Sequence, residues 1–474
     1  MKNSTLIHRM ADWTSLLPAI LAIAVVLWRK EVILALLLAI ACAESLLFIH
    51  QPEHSLLGLL LHTPVNTLER LIAVTSSADN SRILLFSLLI GALMLYMRAY
   101  GGVSALVQFL VQKGVARSKR QAGLISYLIG IAVFIESNLS VLTAGIVSRG
   151  LYDKFKMSRA RLAYVIDSTS APVCILILLN GWGAYILGLL GTYQLPEPAV
   201  SVLIGSIPLN FYAIFTLLMV LYTIWTDNTH GPMRQSELAL QQQQNDHSEI
   251  EEPAGKKRYM LLPLLTLVGG MVGFMLWTGN GSLTDGSGAK AALYATPLAC
   301  LVAYALLLWD KKAGHTELVS QGFKGMSELL PLVTIVLLSM ALGQAMKQLG
   351  TGVYVASFVQ DSLPLMWIPA MLFVAGAIIS FTTGTSWGTF AILIPIGMPL
   401  VEMLGLPPSL LLAAILSGGI WGDHCSPISD TTAVSAVASG CDLLEHVRTQ
   451  LPYALFCGVL AWLAFILSGW WMIG

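Results

Sequence analysis

Residues 423–432 read Asp-His-Cys-Ser-Pro-Ile-Ser-Asp-Thr-Thr, and apolar sequence surrounds them on both sides. A carboxylate is costly to bury inside a bilayer, so an acid in such a segment indicates a functional site. Pro427 also interrupts a helix, which frees backbone carbonyls beside Asp423 and Asp430. The segment therefore predicts a broken membrane helix that carries an ion site.

The whole chain is too apolar for a soluble globular protein. Of its 474 residues, 56% are hydrophobic and 11% are charged, and the mean hydropathy is +0.75. This composition predicts a multi-pass membrane protein, whose partner is the lipid bilayer that surrounds it. The formal net charge is zero and gives no reason to expect a nucleic acid partner. The six cysteines lack the spacing of a metal or redox motif, and no cofactor is expected.

A helix needs roughly 17–25 residues to cross the bilayer, and apolar stretches that can supply them recur along the chain. They lie near 13–28 (short), 31–49, 82–98, 160–190, 201–226, 258–278, 291–309, 329–346, 410–440 and 452–473. Between them, residues 227–257 contain a glutamine run and many charges, which predicts a flexible cytoplasmic linker. This linker divides the chain into an N-terminal repeat, 1–226, and a C-terminal repeat, 258–474.

Residues 121–148 have basic clusters on both flanks. By the positive-inside rule, both ends of this apolar segment belong in the cytoplasm. It must then be a re-entrant hairpin or two short crossings. The polar sequence Glu136-Ser137-Asn138 near its middle favours a hairpin of two half-helices.

Residues 365–400 are the counterpart in the second half, broken at the Thr-Thr-Gly-Thr-Ser sequence of 382–386. Their flanks are almost free of basic residues, which suits the outer side. The charge pattern then gives each half about five crossings and one hairpin, in opposite orientations. The predicted fold class is an all-α polytopic membrane protein with two inverted-topology repeats and discontinuous helices.

The polar residues at these breaks are the candidate ligands for an ion or a substrate. They are Asp423, Asp430, Ser426, Thr383, Thr385, Ser386, Glu136, Ser137, Asn138 and Asp167. Carboxylate and hydroxyl oxygens can replace the water around Na⁺. Two neighbouring carboxylates also repel each other, so a proton and a cation can compete for them. We therefore expect Asp423 and Asp430 to bind Na⁺, with a helix-capping or packing role as the structural alternative.

Three residues allow two interpretations each. Asp167 is either the first-half counterpart of the acid pair or a surface or capping residue. His424 is either a proton carrier or a hydrogen-bonded structural residue. Trp387 either lines a substrate path or only packs, and Glu44 is expected to face the membrane interface.

Neither hairpin contains lysine or arginine, and nor does the segment 423–432. An anionic substrate would usually require such a positive group, although helix N-termini can substitute for it. The sequence therefore favours a small cation, with a proton, as the transported species.

In combination, residues 383–389 (Thr-Gly-Thr-Ser-Trp-Gly-Thr) and 422–432 resemble the NhaC-type Na⁺/H⁺ antiporter family. The resemblance implies Na⁺/H⁺ exchange by alternating access in the bacterial cytoplasmic (inner) membrane. Family members also exchange organic acids such as malate and lactate with Na⁺ and H⁺. A coupled exchanger of a small organic solute (a carboxylate, amino acid or amine) is therefore the alternative.

An enzyme is not expected, because the chain lacks paired catalytic motifs and a histidine-rich metal set. The sequence leaves open whether the chain forms a homodimer, and it does not fix stoichiometry, electrogenicity or the side of the N-terminus.

Overall fold

A computed structural model describes residues 12–29, 31–50, 55–102, 105, 118–134, 137–240, 255–282, 286–351, 353–354, 357, 364–427 and 429–474. Within these ranges all regular secondary structure is helical.

The helices of the first half are α1 (Leu17–Arg29), α2 (Val32–Ile49), α3 (Leu56–Thr75), α4 (Ala78–Ala99), α5 (Lys119–Ala132), α6 (Ser137–Lys154), α7 (Arg159–Ser168), α8 (Ala171–Leu176), α9 (Gly181–Leu190), α10 (Ala199–Ser206), α11 (Phe211–Thr226) and α12 (Gly231–Leu240). Those of the second half are α13 (Arg258–Thr278), α14 (Gly288–Trp309), α15 (His315–Leu349), α16 (Ile368–Thr383), α17 (Ser386–Leu404), α18 (Pro408–Cys425), α19 (Asp430–Ser439) and α20 (Leu443–Ile473).

The described helices make this a multi-pass membrane protein, as predicted. Eight of them are long and apolar enough to cross a bilayer: α2, α4, α13, α14, α15, α16 with its preceding 3-10 turn, α17 and α20. Two further pairs of helices are long and apolar enough only together and bend at a break, α7–α8 with α9 by 44° and α10 with α11–α12 by 40°. Including them, the number of spans among the described residues rises to 10.

A helix–break–helix unit occurs at both predicted hairpins. The first unit is α5–α6 and the second is α16–α17, and each is followed by a broken helix, α7–α8 in the first half and α18–α19 in the second. This recurrence matches the predicted repeat. The hairpins differ, because both arms of the second unit are long and apolar enough to cross a bilayer whereas neither arm of the first is.

The two halves pack across each other at these breaks. Helix α6 of the first hairpin lies against α19, and α9 lies against α17 of the second hairpin. Helix α19 also contacts α7. The interrupted segments of both halves are thereby brought together in the interior.

Helix α3 was absent from the predicted spans, because its polar residues interrupt the apolar run. One of them, Arg70, donates to Glu44 Oε1 at 2.6 Å and to Gln348 Oε1 at 2.8 Å. The prediction that Glu44 faces the interface is wrong, since Glu44 is buried by this ion pair.

The start of the linker is also more ordered than predicted. Residues 231–240 form α12, which lies on α7 and α20 with Met233 buried. Glu237 Oε1 accepts hydrogen bonds from the backbone N–H and the hydroxyl of Ser158, at 2.8 and 2.9 Å. The glutamine run at 241–244 lies outside the described residues.

Helices α16 and α18 pack closely together where α18 carries glycine residues. A Cβ added to Gly418 would lie 2.2 Å from the carbonyl oxygen of Phe373, and one added to Gly422 would lie 2.2 Å from that of Ala377. Two glycines spaced by four residues let membrane helices pack backbone to backbone. This contact fixes the end of α18, where Asp423 lies.

We predict that Gly418→Ala lowers the melting temperature of the purified protein by several degrees, because the methyl group forces α16 and α18 apart. Gly269→Ala is the matched control, since Gly269 lies on an exposed face of α13 with no atom within 4 Å of its added Cβ. An equal effect of the two substitutions would contradict the close contact.

Candidate functional site

Asp423 lies in the last turn of α18 and is 1% exposed. Its Oδ2 accepts hydrogen bonds from the hydroxyls of Thr431 at 3.3 Å and Ser386 at 3.5 Å, both long. Its Oδ1 is buried and has no hydrogen-bond partner among the described residues. A buried carboxylate oxygen without a partner is unfavourable, so this site is suited to bind a proton or a cation.

Asp430 begins α19, on the other side of the break. The backbone N–H of Thr431 donates to its Oδ1 at 2.9 Å, and the Asn138 amide donates to its Oδ2 at 3.4 Å. Its negative charge also interacts favourably with the N-terminus of α19. The two acids therefore flank the break, as predicted from Pro427.

A cavity of about 260 Å³ lies beside Asp430. Although helices of both halves surround Asp430, its side chain is exposed because it faces this cavity. Asn138, Thr385, Trp182 and Trp387 also line it. The candidate residues from both hairpins thus meet Asp430 at one water-accessible space.

The second acid on the cavity wall is Glu328 of α15. It is paired with Arg98, whose Nη2 lies 2.8 Å from Glu328 Oε2. None of the residues described as lining the cavity is lysine, arginine or histidine. Asp430 is therefore the cavity-lining acid without a basic partner in the described chain.

Asp167 is completely buried, so the surface alternative for it is wrong. Its Oδ2 lies 3.2 Å from His446 Nε2 and accepts a hydrogen bond from Gln450 Nε2 at 2.7 Å. The same Gln450 nitrogen donates to the carbonyl oxygen of His424 at 2.9 Å. Gln450 thus connects the first-half acid to the residue that follows Asp423.

His424 is also buried, and its Nδ1 lies 3.2 Å from the Tyr212 hydroxyl. Its Nε2 has no hydrogen-bond partner in the described part of the chain. Nδ1 thus has the hydrogen bond expected of a structural histidine, whereas Nε2 is available to bind a proton.

The remaining candidates differ in what they contact. The hydroxyls of Ser426 and Thr383 donate to backbone carbonyls, Ser426 to Phe381 at 2.7 Å and Thr383 to Ile379 at 2.9 Å. Both therefore stabilise the ends of helices. Ser137 is buried at the start of α6. Glu136 lies outside the described residues.

Two arginines of the first half contact α19, the helix that begins with Asp430. Arg149 of α6 donates to the carbonyls of Val437 and, at 2.7 Å, Ala438, while Arg159 of α7 donates to that of Ser439 at 2.8 Å. Cations at the C-terminus of a helix are favourable. Both side chains thus hold the far end of α19 in place.

His446 and Gln450 were not among the predicted site residues, because the predicted last span began at residue 452 and α20 begins at Leu443. Polar residues in the first turns of an apolar helix were the available signal. Only their contact with Asp167, which precedes His446 by 279 positions, gives them significance.

Known proteins resemble this chain over most of its length. The model of the Na⁺/H⁺ antiporter family matches residues 173–470. An uncharacterized protein of Haemophilus influenzae is 31% identical over 481 residues, covering 96% of this chain and 90% of that protein.

Two other similarities are more limited. The malate-2H⁺/Na⁺-lactate antiporter of Bacillus subtilis is 37% identical over 106 residues, which is 22% of each chain. The crystal structure of the Alcanivorax borkumensis YdaH transporter superposes with a TM-score of 0.61 at 15% identity, covering 95% of this chain and 98% of that one. At that identity the likeness concerns the fold alone.

We predict that Gln450→Leu lowers the free energy of unfolding by about 1–3 kcal/mol, because two buried acceptors lose their donor. The change is measured as a lower melting temperature in detergent. Gln235→Leu, at an exposed glutamine on α12, should have no effect. A Gln450→Leu protein as stable as the wild type would show that this connection contributes little.

Proposed function

The chain belongs to the Na⁺/H⁺ antiporter family, and from that premise we propose that it exchanges Na⁺ for H⁺ across the bacterial inner membrane by alternating access. Membership of the family makes it a secondary transporter. The exchanged ions, the membrane and the residues that bind the ions are the proposal.

The observation that carries the proposal is the buried carboxylate of Asp423 at the break between α18 and α19. Its Oδ1 has no hydrogen-bond partner among the described residues, and the hydroxyls of Ser386 and Thr431 lie near its Oδ2. One carboxylate with several neutral oxygens is a ligand set suited to Na⁺.

Exchange follows from the cost of an uncompensated charge in this place. An ionised carboxylate in an apolar interior is strongly unfavourable unless it is paired. Asp423 is therefore stable with a bound proton or a bound Na⁺, and the two exclude each other. Release of one ion is coupled in this way to uptake of the other.

Asp430 supplies the route from water to this site. Its carboxylate faces the cavity, while Thr431, the next residue, donates its hydroxyl to Asp423. A cation attracted to Asp430 is thus one residue from the ligands of Asp423. Closure of the cavity and opening on the other side would require the two hairpins to move relative to each other, as broken helices of transporters do.

A second candidate function is the coupled exchange of a small organic solute. Its support is the size of the cavity, because about 260 Å³ is far more than a single dehydrated ion occupies. The local similarity to an antiporter named for malate and lactate also favours this alternative.

We predict that Asp423→Asn reduces Na⁺-dependent proton flux in proteoliposomes by at least ~100-fold, equivalent to about 2.7 kcal/mol. The amide keeps the shape of the side chain but cannot exchange a proton for Na⁺. Flux is measured with an enclosed pH-sensitive dye after a Na⁺ jump.

Asp79→Asn is the control, because the Asp79 side chain is 63% exposed and paired with Arg82 within the same helix. It should transport at the wild-type rate. Retained flux in Asp423→Asn would remove Asp423 from the ion site.

A further inference from the structure

We propose that the cavity beside Asp430 binds a small organic ammonium ion, with the ammonium group on the Asp430 carboxylate and the organic part against Trp387. This inference rests on the proposed function, since it assigns a further ligand to the water-accessible side of the same transport pathway.

The volume of the cavity calls for a ligand larger than an ion. One water molecule needs roughly 10–15 Å³ by a comparable measure, whereas this cavity measures about 260 Å³. That is slightly below the ~300–1,000 Å³ of sites for drug-sized ligands. A molecule with few non-hydrogen atoms fits this range.

The charges on its wall select a cation. Asp430 has no basic partner among the described residues, whereas Glu328 is neutralised by Arg98. The indole Nε1 of Trp182 is a buried donor without a described partner. It is uncharged and cannot neutralise a carboxylate.

The aromatic rings supply a surface for the organic part. Trp387 is half-buried and lines the cavity, and its ring centroid lies 4.5 Å from that of Trp182 and 5.0 Å from that of Tyr185. The Tyr185 hydroxyl also donates to the carbonyl of Trp387 at 3.0 Å. The indole is therefore fixed in place, and such rings attract organic cations through their π faces.

Asp430 retains capacity for the ammonium group. An ionised carboxylate has about four acceptor positions, and the described contacts are one N–H from Thr431 and one long contact from Asn138. A primary ammonium group carries three donors and can use those that remain.

The test compares propylammonium with propionate, two ions of similar size and opposite charge. Binding to the purified full-length protein is measured in detergent by thermal shift and calorimetry, in potassium chloride at fixed pH. Binding replaces transport as the readout because amines dissipate pH gradients. We expect propylammonium to raise the melting temperature with saturation and propionate to have no effect.

Trp387→Leu should weaken propylammonium binding by at least tenfold. Trp277→Leu is the control, since Trp277 is 68% exposed on α13 and distant in sequence from the lining residues. It should bind as the wild type does. If Trp387→Leu fails to fold, the comparison of propylammonium with propionate on the wild-type protein still tests whether the cavity binds an ammonium ion.

Propionate binding without propylammonium binding, or binding of neither, would overturn the inference. Wild-type Na⁺-dependent proton flux in the same preparation would then leave the proposed function intact. Conversely, ammonium binding together with undiminished flux in Asp423→Asn would refute the proposed ion site while leaving the cavity ligand in place.

Discussion

The structure depends on one unfavourable placement, a carboxylate buried at the interrupted end of a membrane helix. Asp423 is 1% exposed, and one of its oxygens has no partner in the described residues. The close glycine packing of α18 on α16 fixes this acid, and Arg149 and Arg159 fix the far end of α19. These contacts therefore hold the helices around Asp423 in place, while the carboxylate itself remains available to bind an ion.

The packing of the halves across each other gives this site its access. Asn138 of the first hairpin and Thr385 of the second both face the cavity that exposes Asp430. A second buried acid, Asp167, is connected through Gln450 to the backbone of His424. Both hairpins thus contribute to the cavity wall, and Gln450 links Asp167 to the residue that follows Asp423.

Much of the fold could be predicted from sequence, because apolar length, basic flanks and proline breaks are local signals. They located both hairpins and the break between Asp423 and Asp430. Other features depend on contacts between distant residues. Glu44 could not be recognised as buried without Arg70, and His446 gained importance only from its contact with Asp167. Helix α3 was missed because its polar residues interrupt the apolar run.

The most direct test of the account is the pH dependence of the apparent KM for Na⁺, from initial rates of Na⁺-driven proton flux. If one proton and one Na⁺ compete for the Asp423 site, the apparent KM should rise about tenfold for each unit by which the pH falls in the acidic range. The maximal rate should stay constant. A KM that is independent of pH while the maximal rate falls would contradict a shared site for the two ions.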